Sequence, residues 1–249
     1  MLEAIVDLRT PDDSTLGVIL KRPEGEGPFP VVLLFHDGPG IREATHQVVG
    51  EVAEAGYYVV APDRYHRFGR FVHVEPEALM AAGPDSDLMR SFFGMVMGTT
   101  DDHVRADVDA VLAHLATDPA ARPGEMGCIG YCNGVRFLLR CMAEHPETFV
   151  AGAGLHPSFC VSDDADSPHL VASKIPGHLY VAIDEEDHLA PVEHNQPLIN
   201  ELSKLSERST VEVLPGADHG FAVPGPNYHE DAAEHALEKT LDLFKRVLD

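Results

Sequence analysis

Ile129-Gly130-Tyr131-Cys132-Asn133-Gly134 is the stretch on which the fold prediction depends. An apolar run leads into it from residue 126, and apolar residues at helical spacing follow it from residue 135. A turn of the form Gly-x-Cys-x-Gly is typical of a sharp strand-to-helix corner that exposes its central side chain. It predicts such a corner with Cys132 as a nucleophile, while a small buried cysteine is the alternative.

Strands and helices alternate along the chain from residue 30 onward. Residues 4–9 and 16–22 alternate apolar and polar residues, which predicts an antiparallel pair of strands before this region. Later strands are predicted from short, continuously apolar runs at 30–36, 57–62, 126–131, 149–156, 178–183 and 211–214. Helices are predicted at 42–55, from 99, at 135–144, 191–206 and 230–248. This alternation predicts an α/β fold with a mostly parallel central sheet and helices on both faces.

The length and composition of the chain predict its organisation and its partners. A chain of 249 residues with an ordinary apolar share of 44% favours a single domain over 1–249. Residues 63–98 are the least regular part, and we expect loops with one or two helices that lie like a cap over the active site. We expect a monomer or a small homo-oligomer.

The net charge and the lack of long apolar stretches exclude several classes of binding partner and location. The formal charge of −23 argues against nucleic acid and anionic membranes as partners. No apolar stretch approaches the length of a membrane-spanning helix, and acids stand where a signal peptide would carry basic residues. We therefore expect a cytoplasmic protein with reduced cysteines.

In an open parallel sheet, ligands bind beyond the carboxyl ends of the strands, so the residues that follow each apolar run are the candidates for the site. Those residues include Asp37 and Gly38, Cys132, Asp184 and Asp187, and finally His219. The chain order of nucleophile, acid and histidine is that of the α/β-hydrolase triad. His219 would act as the base for Cys132, and Asp184 and Asp187 compete for the role of the acid, with Asp187 favoured because it directly precedes a helix-opening segment.

Two backbone groups and one side chain complete the predicted site. The N–H groups of Gly38 and Asn133 are expected to form an oxyanion hole. Asp37 is expected to act near the thiol, although an Asp-Gly dipeptide is also common in turns.

Metal and nucleotide binding are weaker alternatives. A metal site is the alternative for a set of residues clustered in the sequence, namely His178, Asp184, Asp187, His188 and His194. Their spacing matches no metal-ligand motif, and the glycines make no phosphate-binding loop. We therefore expect neither a metal nor a cofactor.

Three stretches together resemble the dienelactone hydrolase family, which has a cysteine nucleophile in an α/β-hydrolase fold and opens lactone and ester bonds. They are Gly130-Tyr131-Cys132-Asn133-Gly134, Asp187 before Leu189-Ala190-Pro191, and His219-Gly220-Phe221 with Pro224 and Tyr228 after it. The resemblance covers most of the chain and implies a triad of Cys132, Asp187 and His219. It also implies that Asp37 stands where the family has an acid that restrains the resting thiol, which is a glutamate in the type case.

The resemblance further implies arginines that hold the substrate carboxylate. Arg64, Arg67, Arg70 and Arg90 are the candidates that precede the turn at residues 130–134. We expect Arg67, Arg90 and Tyr228 to contact the substrate. After His219 the next arginine is Arg246, and Val135 replaces a frequent glycine.

The leading hypothesis is a cofactor-independent hydrolase that cleaves a small-molecule ester or lactone through a thioester on Cys132. The alternative is a non-hydrolytic binding or redox-sensing protein in which Cys132 is a reactive thiol.

Overall fold

The computed structural model describes residues 1–249, apart from the side chain of Ser206. All eight strands belong to one sheet with the order β1-β2-β4-β3-β5-β6-β7-β8. The strands are β1 (Leu2–Arg9), β2 (Thr15–Arg22), β3 (Val31–Phe35), β4 (Tyr58–Pro62), β5 (Met126–Tyr131), β6 (Phe149–Leu155), β7 (His178–Asp184) and β8 (Ser209–Leu214). The strand β2 pairs antiparallel with β1 and β4, and every later pairing is parallel.

Helices cover both faces of the sheet. They are α1 (Glu43–Glu54), α2 (Pro76–Ala81), α3 (Asp87–Gly98), α4 (Asp101–Leu115), α5 (Gly134–Glu144), α6 (His169–Ala172), α7 (Val192–Ser203) and α8 (Glu230–Leu248). The apolar sides of α4, α5 and α7 form one core with the sheet, whereas those of α1 and α8 form a second core on the opposite face. The predicted α/β architecture is confirmed.

The double coverage explains the apolar runs in the sequence. Every residue of Val31–Phe35 and of Met126–Tyr131 is buried, because side chains of both faces meet helices. The strand β5 lies between β3 and β6 with parallel pairing on both sides, so the three strands end at the same edge. The residues after these strands therefore come together at that edge.

The segment between β4 and α4 contains α2 and α3 and packs against the loop that follows β3. Tyr65, Met95 and Val96 form a third, small apolar cluster. The Tyr65 hydroxyl donates a hydrogen bond of 2.8 Å to the Gly38 carbonyl. Phe92 lies so close to Gly38 that a Cβ added there would be 3.1 Å from its ring. The two helices match the prediction for residues 63–98, and the cap-like role and the single-domain organisation stay predictions.

The short helix α6 is absent from the predictions, because four residues are too few to show a helical period. Across the part of the chain that the structure describes, no helix combines the length and apolar character needed to cross a membrane.

Candidate active site

The corner between β5 and α5, here called the elbow (residues 130–134), has the strained backbone that the sequence predicts. Cys132 has a φ of 55°, in the left-handed region that non-glycine residues rarely adopt. A Cβ at Gly130 would lie 2.8 Å from the backbone of Gly134, and one at Gly134 would lie 2.9 Å from the His36 carbonyl oxygen. Only glycine fits at both positions, since strand and helix pass each other in contact.

A chain of hydrogen bonds joins Cys132, His219 and Asp187. The Sγ atom of Cys132 lies 3.1 Å from Nε2 of His219, and Nδ1 of the same ring lies 2.8 Å from Oδ2 of Asp187. The other oxygen of Asp187 accepts the backbone N–H groups of Leu189 and Ala190 at 2.7 and 2.8 Å. The structure thus brings the three predicted residues together with the connectivity of nucleophile, base and acid.

Asp184, the alternative acid, is near His219 without bonding to it. Its Oδ2 lies 3.8 Å from His219 Nδ1, and among the described residues neither carboxyl oxygen has a hydrogen-bond partner. Burial, together with the negative charge of Asp187, raises the pKa of Asp184 to about 8. The geometry therefore favours Asp187 as the acid.

The charges of the three groups support one another. Burial disfavours the Cys132 thiolate, but the His219 and His156 imidazoles outweigh it and hold the thiol pKa well below its ordinary value. Burial likewise opposes charge on His219, yet Cys132 and Asp187 raise the pKa of the imidazole well above its usual range. Burial also opposes the charge on Asp187, and the hydrogen bond from His219 lowers the pKa of its carboxyl. The ionised form of each group is therefore favoured by the charge of its neighbour.

His156 and Ser158 also lie beside the thiol, and the sequence reasoning missed both. The Ser158 hydroxyl is 3.2 Å from Cys132 Sγ. His156 is 1% exposed, and its ring packs edge-on against that of His219 with centroids 5.2 Å apart. Burial lowers the pKa of His156. His156 directly follows β6, and Ser158 lies two residues further along the chain. The rule that ligands bind beyond strand ends could have indicated this segment, but the predicted strand extends to residue 156 and no residue after it is among the candidates.

The predicted oxyanion-hole donors lie at the ends of β3 and β5. Among the described residues, neither the Gly38 N–H nor the Asn133 N–H donates to another protein group. Asn133 precedes the first residue of α5, where backbone N–H groups have no acceptor within the helix. Both donors are thus available to a ligand, and their role stays a prediction.

Asp37 is engaged by an arginine. Its two carboxylate oxygens accept hydrogen bonds from Nη1 and Nη2 of Arg42 at 2.7 and 2.9 Å. The side chains are 8% and 5% exposed, so this is a buried two-pronged ion pair. Both carboxylate oxygens of Asp37 are therefore bonded to Arg42. Restraint of the thiol by Asp37 stays a prediction.

The predicted substrate-binding residues contact other parts of the protein. Arg67 pairs with Asp12 at 2.8 Å and Asp107 at 2.9 Å. Arg90 pairs with the neighbouring Asp87 on α3 at 2.5 Å. Tyr228 is 41% exposed in the loop before α8.

Arg64 is the arginine that reaches the elbow. It is buried and donates to the Asn133 side chain at 3.0 Å and to the His36 carbonyl. Arg70 instead pairs with Asp7 on β1 at 2.8 Å. The substrate-binding roles of Arg67, Arg90 and Tyr228 stay predictions.

The residues weighed for a metal site do not form one cluster. Asp184 and Asp187 come together with His219, while His188 is exposed and pairs with Asp218 at 2.8 Å. His178 begins β7, at the opposite end of that strand from Asp184.

Comparisons with known proteins agree with this architecture. The model of the dienelactone hydrolase family matches residues 16–248. A Synechocystis protein named "Putative carboxymethylenebutenolidase" is 28% identical, over 92% of this chain and 91% of that protein. A carboxymethylenebutenolidase of Rhodococcus opacus is 24% identical, over 87% and 81%.

The fold also matches solved structures. A crystal structure from Klebsiella pneumoniae, described as a "Putative Dienelactone Hydrolase", superposes with a TM-score of 0.81 at 20% identity and covers 99% of this chain and 100% of that one. The match of the family model over nearly the whole chain, on a fold of this architecture, shows that the chain belongs to the dienelactone hydrolase family, whose members are hydrolases of ester or lactone bonds.

Proposed function

We propose that this hydrolase cleaves a small-molecule ester or lactone through a thioester on Cys132, with His219 as proton carrier and Asp187 as the acid that holds it. One observation carries the proposal: the unbroken line of hydrogen bonds from Cys132 Sγ through His219 to Asp187, which begins at the strained corner of the elbow. The short distances mean that the same imidazole can receive and return a proton without moving far.

In the first half-reaction, the Cys132 thiolate attacks the carbonyl carbon and the carbonyl oxygen becomes an oxyanion. The N–H groups of Gly38 and Asn133 donate hydrogen bonds to that oxygen. In other enzymes, removing one such donor raises the reaction barrier by about 3 kcal/mol. As the tetrahedral intermediate collapses, the carbon–oxygen single bond breaks, and His219 Nε2 gives its proton to the departing alkoxide. The products are a thioester and an alcohol, which stays attached to the acyl group when the substrate is a lactone.

In the second half-reaction, neutral His219 takes a proton from water while the water oxygen attacks the thioester. Collapse of this second intermediate breaks the carbon–sulfur bond and returns Cys132 as a thiolate beside an imidazolium. Asp187 stabilises the imidazolium in both half-reactions and fixes which ring nitrogen faces the thiol. Each proton and bond in the cycle is accounted for by the substrate, water, Cys132 and His219.

The experiment that tests this function measures hydrolysis of a panel of short activated esters and of lactones by four proteins. These are the wild type, Cys132→Ala, His219→Ala and the control Cys141→Ala. Cys141 is a buried free cysteine on α5 and has no part in the reaction. We expect Cys132→Ala and His219→Ala to lose at least about 10³-fold in kcat/KM, and the control to retain activity.

Two outcomes would overturn the proposal. Full activity of Cys132→Ala would show that the thiol is not the nucleophile. No hydrolysis of any ester or lactone by the wild type, with reversible oxidation of Cys132 instead, would favour the redox-sensing alternative.

A further inference from the structure

The reaction proposed above gives His156 no task, although its ring lies at the reacting thiol. Cys132 Sγ, one ring nitrogen of His156 and one ring nitrogen of His219 all lie within 4.8 Å of one another. These three side chains are called the thiol–imidazole cluster below. They come from the ends of β5 and β6 and from the loop after β8, so the fold itself assembles them.

The imidazole of His156 is buried and has no partner. Among the described residues, neither ring nitrogen makes a hydrogen bond, and the residue is 1% exposed. Native proteins rarely bury polar side-chain atoms without a protein partner, so these two nitrogens have unused capacity to bind a ligand.

The ring of His156 is also fixed in place. It packs edge-on against Phe221, with centroids 5.6 Å apart, and its backbone N–H donates to the Ala182 carbonyl at 3.0 Å. Its φ of 42° places the residue in the left-handed region, as at Cys132. The unpaired nitrogens are therefore held beside the thiol by the surrounding structure.

The chemistry of the cluster matches one class of ligand. A thiolate and two imidazoles are donors that Zn²⁺ prefers, whereas Mg²⁺ and Ca²⁺ prefer oxygen. Asp187 bonds to the far nitrogen of His219 at 2.8 Å. A carboxylate in that position orients a metal-binding histidine and makes it more basic. The negative net charge of the chain also attracts cations.

We propose that Cys132, His156 and His219 bind one Zn²⁺ ion, which reversibly blocks the thiol. The metal forms bonds to Sγ of Cys132, to Nε2 of His219 and to a ring nitrogen of His156. The proton held between Sγ and Nε2 leaves to solvent, and no group is oxidised or reduced. Three protein ligands leave a fourth position for water or for the Ser158 hydroxyl, which is 3.2 Å from Sγ.

The inhibition by zinc rests on the proposed function, whereas the binding of zinc does not. Bound zinc takes the nucleophile and the base out of the reaction together, so hydrolysis stops while the metal is present and returns when a chelator removes it. The two parts are therefore measured separately.

The experiment titrates chelator-treated full-length protein with Zn²⁺ by calorimetry and with Co²⁺ by absorption spectroscopy. We expect one strong site per chain and, with Co²⁺, a thiolate-to-metal charge-transfer band in the near ultraviolet. His156→Gln is expected to weaken Zn²⁺ binding by at least about 100-fold. His178→Gln is the matched control, because His178 lies at the far end of β7, about 20 Å from the cluster along the strand.

A second readout covers the case in which His156→Gln does not fold. In the wild type, Zn²⁺ should protect Cys132 from iodoacetamide, and Cys132→Ser should lose the charge-transfer band of the Co²⁺ complex. Equal Zn²⁺ affinity of the wild type and His156→Gln would overturn the proposal, and so would a Co²⁺ complex without the thiolate band. Either result leaves the hydrolytic proposal standing, since that proposal is tested by zinc-free kinetics.

Discussion

Replacing Asp187 with asparagine tests which of two neighbouring acids acts with His219. The carboxylate of Asp187 lies 2.8 Å from Nδ1 and also accepts two backbone N–H groups, so it is held in place. An asparagine keeps the size of the side chain but turns a charged acceptor into a neutral one. It removes the charge that stabilises the imidazolium, and it allows the ring to adopt the wrong tautomer.

The size of the effect follows from the two roles of the acid. Neutralising the equivalent acid in a serine protease costs about 10⁴ in kcat, which corresponds to about 5 kcal/mol at 1.36 kcal/mol for each factor of ten. Asp184 lies 3.8 Å from the same nitrogen and retains a carboxyl group near the ring. We therefore expect Asp187→Asn to lower kcat by about 10³ to 10⁴, with a smaller change in KM.

Asp184→Asn is the matched control, because the two aspartates are three residues apart and both are buried. Burial and the nearby Asp187 raise the pKa of Asp184, which favours its protonated form, and a protonated carboxyl has nearly the shape of an amide. We expect Asp184→Asn to change kcat by less than about threefold, since no hydrogen bond to the ring is lost.

The assay is steady-state hydrolysis of one activated ester at pH 7 by the wild type, the two single variants and the double variant. Circular dichroism and thermal unfolding establish that each variant is folded. The double variant should lose as much activity as Asp187→Asn or up to about tenfold more, because Asp184 then no longer offers a carboxyl group near the ring. A loss of 100-fold or more in Asp184→Asn, with a mild effect in Asp187→Asn, would refute the assignment and make Asp184 the acid.

Three further predictions concern the supports of the site. Gly134→Ala forces a Cβ against β3 carbonyl oxygens and should destabilise the fold by about 1–3 kcal/mol or more, measured by chemical unfolding. In the control Gly94→Ala the added Cβ has no atom within 4 Å, so this change should be neutral or stabilise α3 by up to about 1 kcal/mol. Equal effects of the two changes would show that the elbow is not tightly packed. Arg42→Met leaves the Asp37 carboxylate buried and unpaired, which should lower the free energy of unfolding by about 3–5 kcal/mol. Adding Asp37→Asn should recover part of that loss. An Arg42→Met variant as stable as the wild type would disprove the buried ion pair. Arg67→Ala removes one of the two partners of the fully buried Asp107 on α4 and leaves only His66 beside it, so the melting temperature should fall with little change in KM. A tenfold rise in KM at unchanged melting temperature would instead support substrate contact by Arg67.

The architecture and the line of hydrogen bonds at the elbow were accessible from the sequence because both follow local rules. Burial on both faces makes β3 and β5 continuously apolar, and the parallel pairing brings the residues after them to one edge. Cys132 and His219 are therefore expected to meet, although 87 residues separate them in the chain.

The remaining features of the site depend on contacts that have no local signal. The carboxylate of Asp37 is bound by Arg42, five residues later, and an Asp-Gly turn looks the same with or without that partner. Arg67 is paired with Asp12 and with the buried Asp107, which are both distant in the chain. Packing of this kind is set by tertiary structure, so it emerges only from coordinates. Arg90 is different, because Asp87 lies three residues before it on α3, and helical spacing alone could have indicated that pair.

The choice of Asp187 over Asp184 as the partner of His219 also depends on tertiary structure. Asp184 is the last residue of β7 and Asp187 lies three residues later, and the sequence contains only a weak reason to favour one of them. The structure separates them by 1.0 Å in their distance to the same ring nitrogen, 2.8 against 3.8 Å. That difference decides whether a hydrogen bond forms.

The central claim is that Cys132 carries the acyl group during the reaction. Its most direct test is mass spectrometry of the intact, zinc-free protein. The protein is mixed with a slowly hydrolysed ester and quenched in acid after milliseconds to seconds. We expect one added acyl group per chain in the wild type and none in Cys132→Ala. Tandem spectra should assign the group to Cys132 rather than to Cys128, which lies in the same tryptic peptide. Cys128 is fully buried on β5 and serves as an internal control. Hydrolysis at the wild-type rate by Cys132→Ala, or an acyl group on any other residue, would contradict the account.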